Sequence, residues 1–227
     1  MGLNVANGNM YSFVSHTWNV VKGKCPHDCN YCYMKIFDLK PMRFDKNELK
    51  SDLGEGNFIF VGSSCDMWAE VNSQWKVHSE WITEILEYCY KYNDNRYLFQ
   101  SKNPMRFIDF LDIMPDNVTF GTTIETNRRY KEMGFAPEIE SRVKALEFLS
   151  DKGFYDIMVT IEPIMDFDLD ELVGFITRCF PKWVNIGADS KGHHLPEPYK
   201  AKIQLLIDSL NEITEVKIKD NLKRLMR

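Results

Sequence analysis

The stretch His16-Thr17-Trp18-Asn19-Val20-Val21-Lys22-Gly23-Lys24-Cys25-Pro26-His27-Asp28-Cys29-Asn30-Tyr31-Cys32-Tyr33 joins a β-rich run to a loop crowded with cysteine. Thr17–Val21 has the β-branched and aromatic content of a strand. The loop that follows spaces its cysteines as C-x3-C-x2-C, while Cys65, Cys89 and Cys179 stand alone. Crowding of this kind favours a shared metal centre over a set of disulfides. In a reducing cytoplasm thiolates persist, the state an iron–sulfur cluster requires. A cubane cluster has four irons, and three thiolates from one tight loop hold three corners while leaving the fourth without a protein ligand.

Outward from this loop, β-rich runs recur at Phe58–Gly62, Arg96–Gln100, Val118–Ile124, Ile157–Ile161, Trp183–Ile186 and Val216–Ile218. Helical patterns lie between most of them. Trp75–Tyr92 places Trp81, Ile82, Ile85, Leu86 and Cys89 at helical spacing, and Glu138–Leu149 is stopped by Lys152-Gly153. Shorter patterns fit Pro104–Leu111, Leu169–Arg178 and Pro198–Leu210. Repeated strand–helix units imply a parallel sheet with right-handed crossovers. The expected fold is α/β, a partial (β/α)6 TIM-type barrel with a seventh short strand. The cysteine loop then sits after the first strand and before the first helix.

At 227 residues, with no long linker or low-complexity segment, the chain is expected to form one domain over residues 1–227. Its cluster loop would be 24–33, and its C-terminal strand and basic tail 214–227. Apolar runs are too short to cross a bilayer and no signal-peptide pattern opens the chain, so a cytoplasmic protein without a membrane partner is expected. A net charge of −5 gives no general attraction to nucleic acid. Lys217, Lys219, Lys223, Arg224 and Arg227 nevertheless make the tail locally basic.

Side chains alternate along a strand. Ile157, Val159 and Ile161, then Val184 and Ile186, then Val216 and Ile218, form one parity expected to meet the helices. The other parity ends in polar residues: Glu162, Asp189 and Lys219, with Lys102 and Glu125 in earlier strands. In parallel barrels the reactive centre lies at that end. Wet strand ends are the plainer account of the same pattern.

With the cysteine loop, the tyrosine before its third cysteine and the strand–helix order in register, the chain resembles the radical S-adenosylmethionine (SAM) superfamily. The similarity extends to His16-Thr17-Trp18-Asn19, Phe60-Val61-Gly62-Ser63-Ser64 and Asp66, Gly121-Thr122-Thr123-Ile124-Glu125, Ile161-Glu162-Pro163, and Asn185-Ile186-Gly187-Ala188-Asp189. In style it is most similar to a phage-associated branch of unknown substrate, and more distantly to spore photoproduct lyase. A phage-encoded chain would work in the host cytoplasm. The resemblance implies a radical SAM core with a [4Fe–4S] cluster on Cys25, Cys29 and Cys32. It implies SAM as cofactor, an external one-electron reductant, and reductive cleavage to methionine and a 5′-deoxyadenosyl radical that abstracts hydrogen from a substrate. A nucleotide or nucleic acid is the favoured substrate class.

The same resemblance implies that Gly62, Ser63 and Ser64 stand where a glycine-rich segment holds the methionine amine, with two serines in place of the usual glycine and acid. Thr123 and Glu125 fall at ribose-contacting positions, where a carboxylate suits a diol. Arg128 is a candidate for the methionine carboxylate, Tyr31 for backbone contacts to adenine, and Gly187 and Ala188 for close approach of the base. Glu162 faces SAM or substrate. Cys65 is a candidate hydrogen donor to a substrate radical, similar to the thiol of spore photoproduct lyase, although isolated cysteines commonly pack as small hydrophobes. Cys89 and Cys179 read as packing residues.

Zinc is the main alternative for the loop, because His27 can complete a Cys3His set. A non-enzymatic zinc- or cluster-stabilised binding module is therefore the competing function. His193 and His194, in a loop after the sixth strand, can grip or protonate a substrate or simply face solvent. Trp68, Trp75, Met67 and His78 flank another loop, where they can stack on a ring or form a lid.

Overall fold

A computed structural model describes residues 2–227. Its strands are β1 (Asn4–Val5), β2 (His16–Trp18), β3 (Val21–Lys22), β4 (Arg43–Phe44), β5 (Phe58–Val61), β6 (Arg96–Ser101), β7 (Val118–Thr123), β8 (Ile157–Ile161), β9 (Trp183–Ile186) and β10 (Glu215–Ile218). Seven of these run parallel and in chain order, β2-β5-β6-β7-β8-β9-β10, with β1 added antiparallel to β2 at the edge. Sequential parallel order is what repeated right-handed crossovers produce. The helices are α1 (Ser79–Tyr90), α2 (Ile139–Asp151), α3 (Leu169–Arg178) and α4 (Lys200–Asn211). None of the described helices is long and apolar enough to cross a membrane.

The first expected strand stops early. Beyond Trp18, Asn19 turns its side chain to the loop after β5, accepting from Ser64 N at 2.8 Å and Ser63 Oγ at 3.2 Å. Val21–Lys22 then pairs with Arg43–Phe44 in a separate two-stranded sheet. The helix expected after the cysteine loop is replaced by short 3-10 turns at Tyr33–Ile36 and Lys46–Lys50. Cross-links between its ends hold this crossover: Lys24 N donates to Lys40 O at 3.0 Å, and Lys22 Nζ reaches Asp45 at 2.8 Å and Glu48 at 2.6 Å. Pro104–Ile113 is likewise 3-10 rather than α. Three residues per turn eclipse Phe107 and Phe110, and both rings pack on Trp68, at 4.9 and 5.7 Å.

The main core lies between sheet and helices, where Ile157, Val159, Ile161, Val184 and Ile186 meet Leu172, Ile176 and Leu206. Val216 packs at its margin, but Ile218, at the end of the edge strand, is 46% exposed rather than covered by a helix. A second cluster fills the concave side of the sheet, where Tyr11 and Val14 pack on Leu98, Met158 and Trp183. Phe13 completes it, 5.1 Å from Phe58 and 5.1 Å from Trp183 between ring centroids. The N-terminal segment thus plugs the interior below the polar strand ends.

Candidate active site

The C-terminal ends of the parallel strands open onto a cavity of about 1290 Å³. Cys25, Cys29, Cys32 and Tyr31 line it from one side, Gly62, Ser63, Ser64 and Cys65 from the turn after β5. Gln100, Lys102, Thr123, Thr160, Glu162, Ala188 and Lys219 contribute from the successive strand ends. Glu125, Arg128 and Gly187 do not line it. A smaller hollow, about 630 Å³, lies on the outer face of α3 and contains none of the expected site residues.

The cysteine loop is shaped by backbone bonds: Asp28 N donates to Cys25 O at 3.2 Å and Cys32 N to Cys29 O at 3.2 Å. The 3-10 turn ending at Gly134 braces it, with Asn30 N on Glu132 O at 2.8 Å and Phe135 N on His27 O at 2.7 Å. Gly134 has φ +61°, and a Cβ there would meet His27 O at 2.3 Å, so close approach and backbone conformation both require glycine. Burial pushes the Cys29 thiol up to about 11 against the pull of Lys102. Cys25 is raised by its hydrogen bond with Cys65 and by burial, and Cys32 by burial. Three thiols on one loop, one buried and two partly buried, line one cavity and suit iron, whose charge offsets the cost of three thiolates.

His27 Nε2 lies 2.9 Å from Asp66 Oδ2, and among the described residues no three His, Cys, Asp or Glu side chains converge on one ion. Asp66 is a hub, also accepting from Ser101 Oγ at 2.9 Å, Lys102 N at 3.0 Å and Trp68 N at 3.0 Å. It ties the loop to the ends of β5 and β6. Asn19 locks the Gly62–Ser64 turn as described above, and Tyr33 Oη donates to Ser63 O at 2.7 Å.

Glu125 is fully buried and already occupied. Arg142 Nη1 meets its Oε2 at 2.8 Å, Lys102 Nζ lies 3.1 Å from Oε1, and the Tyr31 phenol donates to the same oxygen. Burial opposes its ionisation, but Lys102 and Arg142 outweigh it and hold the carboxyl at about 2. Glu125 therefore anchors Tyr31 instead of presenting a carboxylate to a ribose. Arg128 forks outward onto Asp168, at 2.9 and 2.6 Å, and pairs with Asp166. That clamp satisfies the guanidinium away from the cavity. Thr123 does face the cavity, where its Oγ1 accepts from Gln100 Nε2 at 3.3 Å.

Glu162 is clamped by Lys219 Nζ at 2.8 Å, Asn221 Nδ2 at 2.8 Å and Asn9 Nδ2 at 2.9 Å. A Cβ on Gly187 would come within 2.7 Å of the Glu162 carboxyl, so this glycine makes room for a side chain of the protein. Cys65 is buried beside Cys25, and Cys89 and Cys179 are core residues. His193 reaches the cavity with Nδ1 2.7 Å from Asp189, whereas His194 does not line it. Trp68 and Met67 are core rather than lid, His78 packs on Trp81, and Trp75 alone of these four lines the cavity. In the basic tail Arg224 pairs with Glu197 and Lys223 with Asp220.

Sequence reasoning missed Arg142, Asn9 and Asn221. Arg142 carried a signal, a cation within the helical stripe Ile139, Val143, Leu146 and Leu149. Asn9 and Asn221 carried none, since Asn9 sits in a turn and Asn221 in a short 3-10 helix, each among other polar residues.

No family model matches the chain, and no curated protein matches it. Solved structures do. A cysteine-to-serine mutant of spore photoproduct lyase aligns with TM-score 0.64 and 11% identity, covering 95% of this chain and 79% of that one. A tyrosine-to-phenylalanine mutant aligns with TM-score 0.64 and 11% identity, over 96% and 80%. A double mutant with bound AdoMet and dinucleoside spore photoproduct aligns with TM-score 0.55 and 10% identity, over 91% and 64%. The chain shares their fold, a mostly parallel α/β sheet. The phage-associated branch has no counterpart among these structures.

Proposed function

We propose that this chain is a radical SAM enzyme that holds a [4Fe–4S] cluster on Cys25, Cys29 and Cys32, binds SAM in the adjoining cavity and abstracts hydrogen from a substrate. The observation that carries this reading is the meeting of three loop cysteines, Cys29 buried and Cys25 and Cys32 partly buried, with the polar strand ends of a parallel sheet around one cavity. Likeness in fold to spore photoproduct lyase, a radical SAM enzyme, supports it. When bound, the cluster and SAM together supply one-electron chemistry that ends in hydrogen abstraction.

The chain's own residues divide the remaining work. The Gly62–Ser64 turn, fixed by Asn19, offers backbone and hydroxyl acceptors to the methionine ammonium. Lys102 lines the cavity beside Cys29, with its ammonium paired to Glu125. Thr123, Thr160 and Gln100 present polar groups for a ribose, and Ala188 offers a small contact for the base. Cys65 places a thiol at the cavity wall as hydrogen donor to the substrate radical. The clamped Glu162 faces the substrate end. A nucleotide or nucleic-acid substrate is supported by the dinucleoside bound in a structural neighbour, with an external reductant as electron source.

Anaerobic reconstitution tests the reading. The wild-type protein should take up about four irons and four sulfides. Cys25→Ala, Cys29→Ala and Cys32→Ala should each lose the cluster, while Cys65→Ala should retain it and alter only the product. Zinc without iron in the purified and reconstituted protein would favour the binding-module alternative.

A further inference from the structure

Behind the cysteine loop three charged groups from three elements meet, two of them fully buried and the third at the cavity wall. Lys102 follows β6, Glu125 follows β7, and Arg142 rises from α2, with the carboxylate between the two cations at 3.1 and 2.8 Å. Glu125 and Arg142 are fully buried, so solvent screens little of their charge. Arg142 is fixed further by Thr123 O at 2.8 Å and Pro137 O at 2.9 Å. Tyr31, between Cys29 and Cys32 in the chain, donates to Glu125, and the Lys102 ammonium sits 5.3 Å from its ring centroid. Cys29 lies within electrostatic reach of all three charges.

Resting on the cluster assignment above, we propose that Lys102, Arg142 and Glu125 form an outer charge set with one net positive charge that sets the reduction potential of the cluster. Reduction adds one negative charge at the cluster, so a nearby cation favours the reduced state and a nearby carboxylate disfavours it. Lys102 and Arg142 raise the potential, and Glu125 trims it. All three are positioning residues in this role. Tyr31 couples the set mechanically to the loop and contributes no charge of its own.

The deciding experiment is an EPR-monitored redox titration of the reconstituted protein without SAM. Glu125→Gln should raise the reduced-to-oxidised ratio at a given potential roughly tenfold, a shift of about 59 mV for one electron. Lys102→Met should lower it by a similar factor, and Lys102→Arg should restore the wild-type value. The double variant Lys102→Met/Glu125→Gln again carries one net positive charge and should return close to wild type. Tyr31→Phe should load less cluster with little shift in potential. Single variants that shift in the same direction, or a double variant that fails to return, would overturn the proposal while leaving the cluster assignment intact. Wild-type protein that takes up no iron would overturn the cluster assignment and this role with it. If Glu125→Gln does not fold, a lowered ratio in Lys102→Met beside a wild-type ratio in Lys102→Arg still decides.

Discussion

At Gly134 a single missing side chain supports the cysteine loop, because its Cα faces the carbonyls of His27 and Asp28 at a positive φ. Gly134→Ala should destabilise the fold by about 1–3 kcal/mol through strain and displace the loop. Denaturant unfolding and iron uptake should both register the change; a variant with wild-type stability and loading would contradict this bracing role. Glu125 makes a second residue-scale prediction. Its carboxyl is held at about 2, below the ordinary value of 4.5. The unfolded chain therefore binds a proton between those values while the folded chain does not, and stability contributed above pH 4.5 is lost as pH falls toward 2. Glu125→Gln should flatten this part of the stability profile measured by chemical unfolding, whereas an unchanged slope would mean the carboxylate is not held this way.

At the scale of elements, the N-terminal segment has the largest consequence that strand and helix patterns did not reveal. Tyr11 and Val14 fill the concave side of the sheet, and Tyr11 Oη donates to Gln100 Oε1 at 3.0 Å. Tyr11→Ala should cost about 3–5 kcal/mol, as truncation of a large core aromatic does. Tyr11→Phe should cost about 1 kcal/mol, the worth of one hydrogen bond. Equal losses in thermal or denaturant unfolding would show that the ring contributes little beyond its hydroxyl. The parallel strands were legible because their alternation is local: Ile157, Val159 and Ile161 announce a covered face within five residues. The plug was not, because Tyr11, Phe13 and Val14 follow neither period and gain their environment only from Leu98, Met158 and Trp183, far along the chain. For the same reason a helix was expected after the cysteine loop, where long-range bonds from Lys22 and Lys24 instead hold a hairpin and 3-10 turns.

Across the whole molecule, the cavity gathers residues from the N-terminal segment, the cysteine loop and the ends of seven parallel strands. Spacing alone singled out the three cysteines, and strand parity singled out Lys102, Glu162 and Lys219, which line the cavity at the ends of their strands. Neither could distinguish a side chain offered to a ligand from one occupied by the protein. Glu125 and Arg128 have the right chemistry, yet Arg142 claims the first, and Asp166 and Asp168 claim the second. Charge follows the same rule, since the basic tail is partly neutralised by Asp220 and Glu197. The proposal that this architecture serves radical chemistry is tested most directly by incubating the anaerobically reconstituted protein with SAM and a strong one-electron reductant, then measuring 5′-deoxyadenosine. The wild type should release it, and Cys25→Ala, Cys29→Ala and Cys32→Ala should not. A fully cluster-loaded wild type that binds SAM and forms no 5′-deoxyadenosine would contradict the proposal.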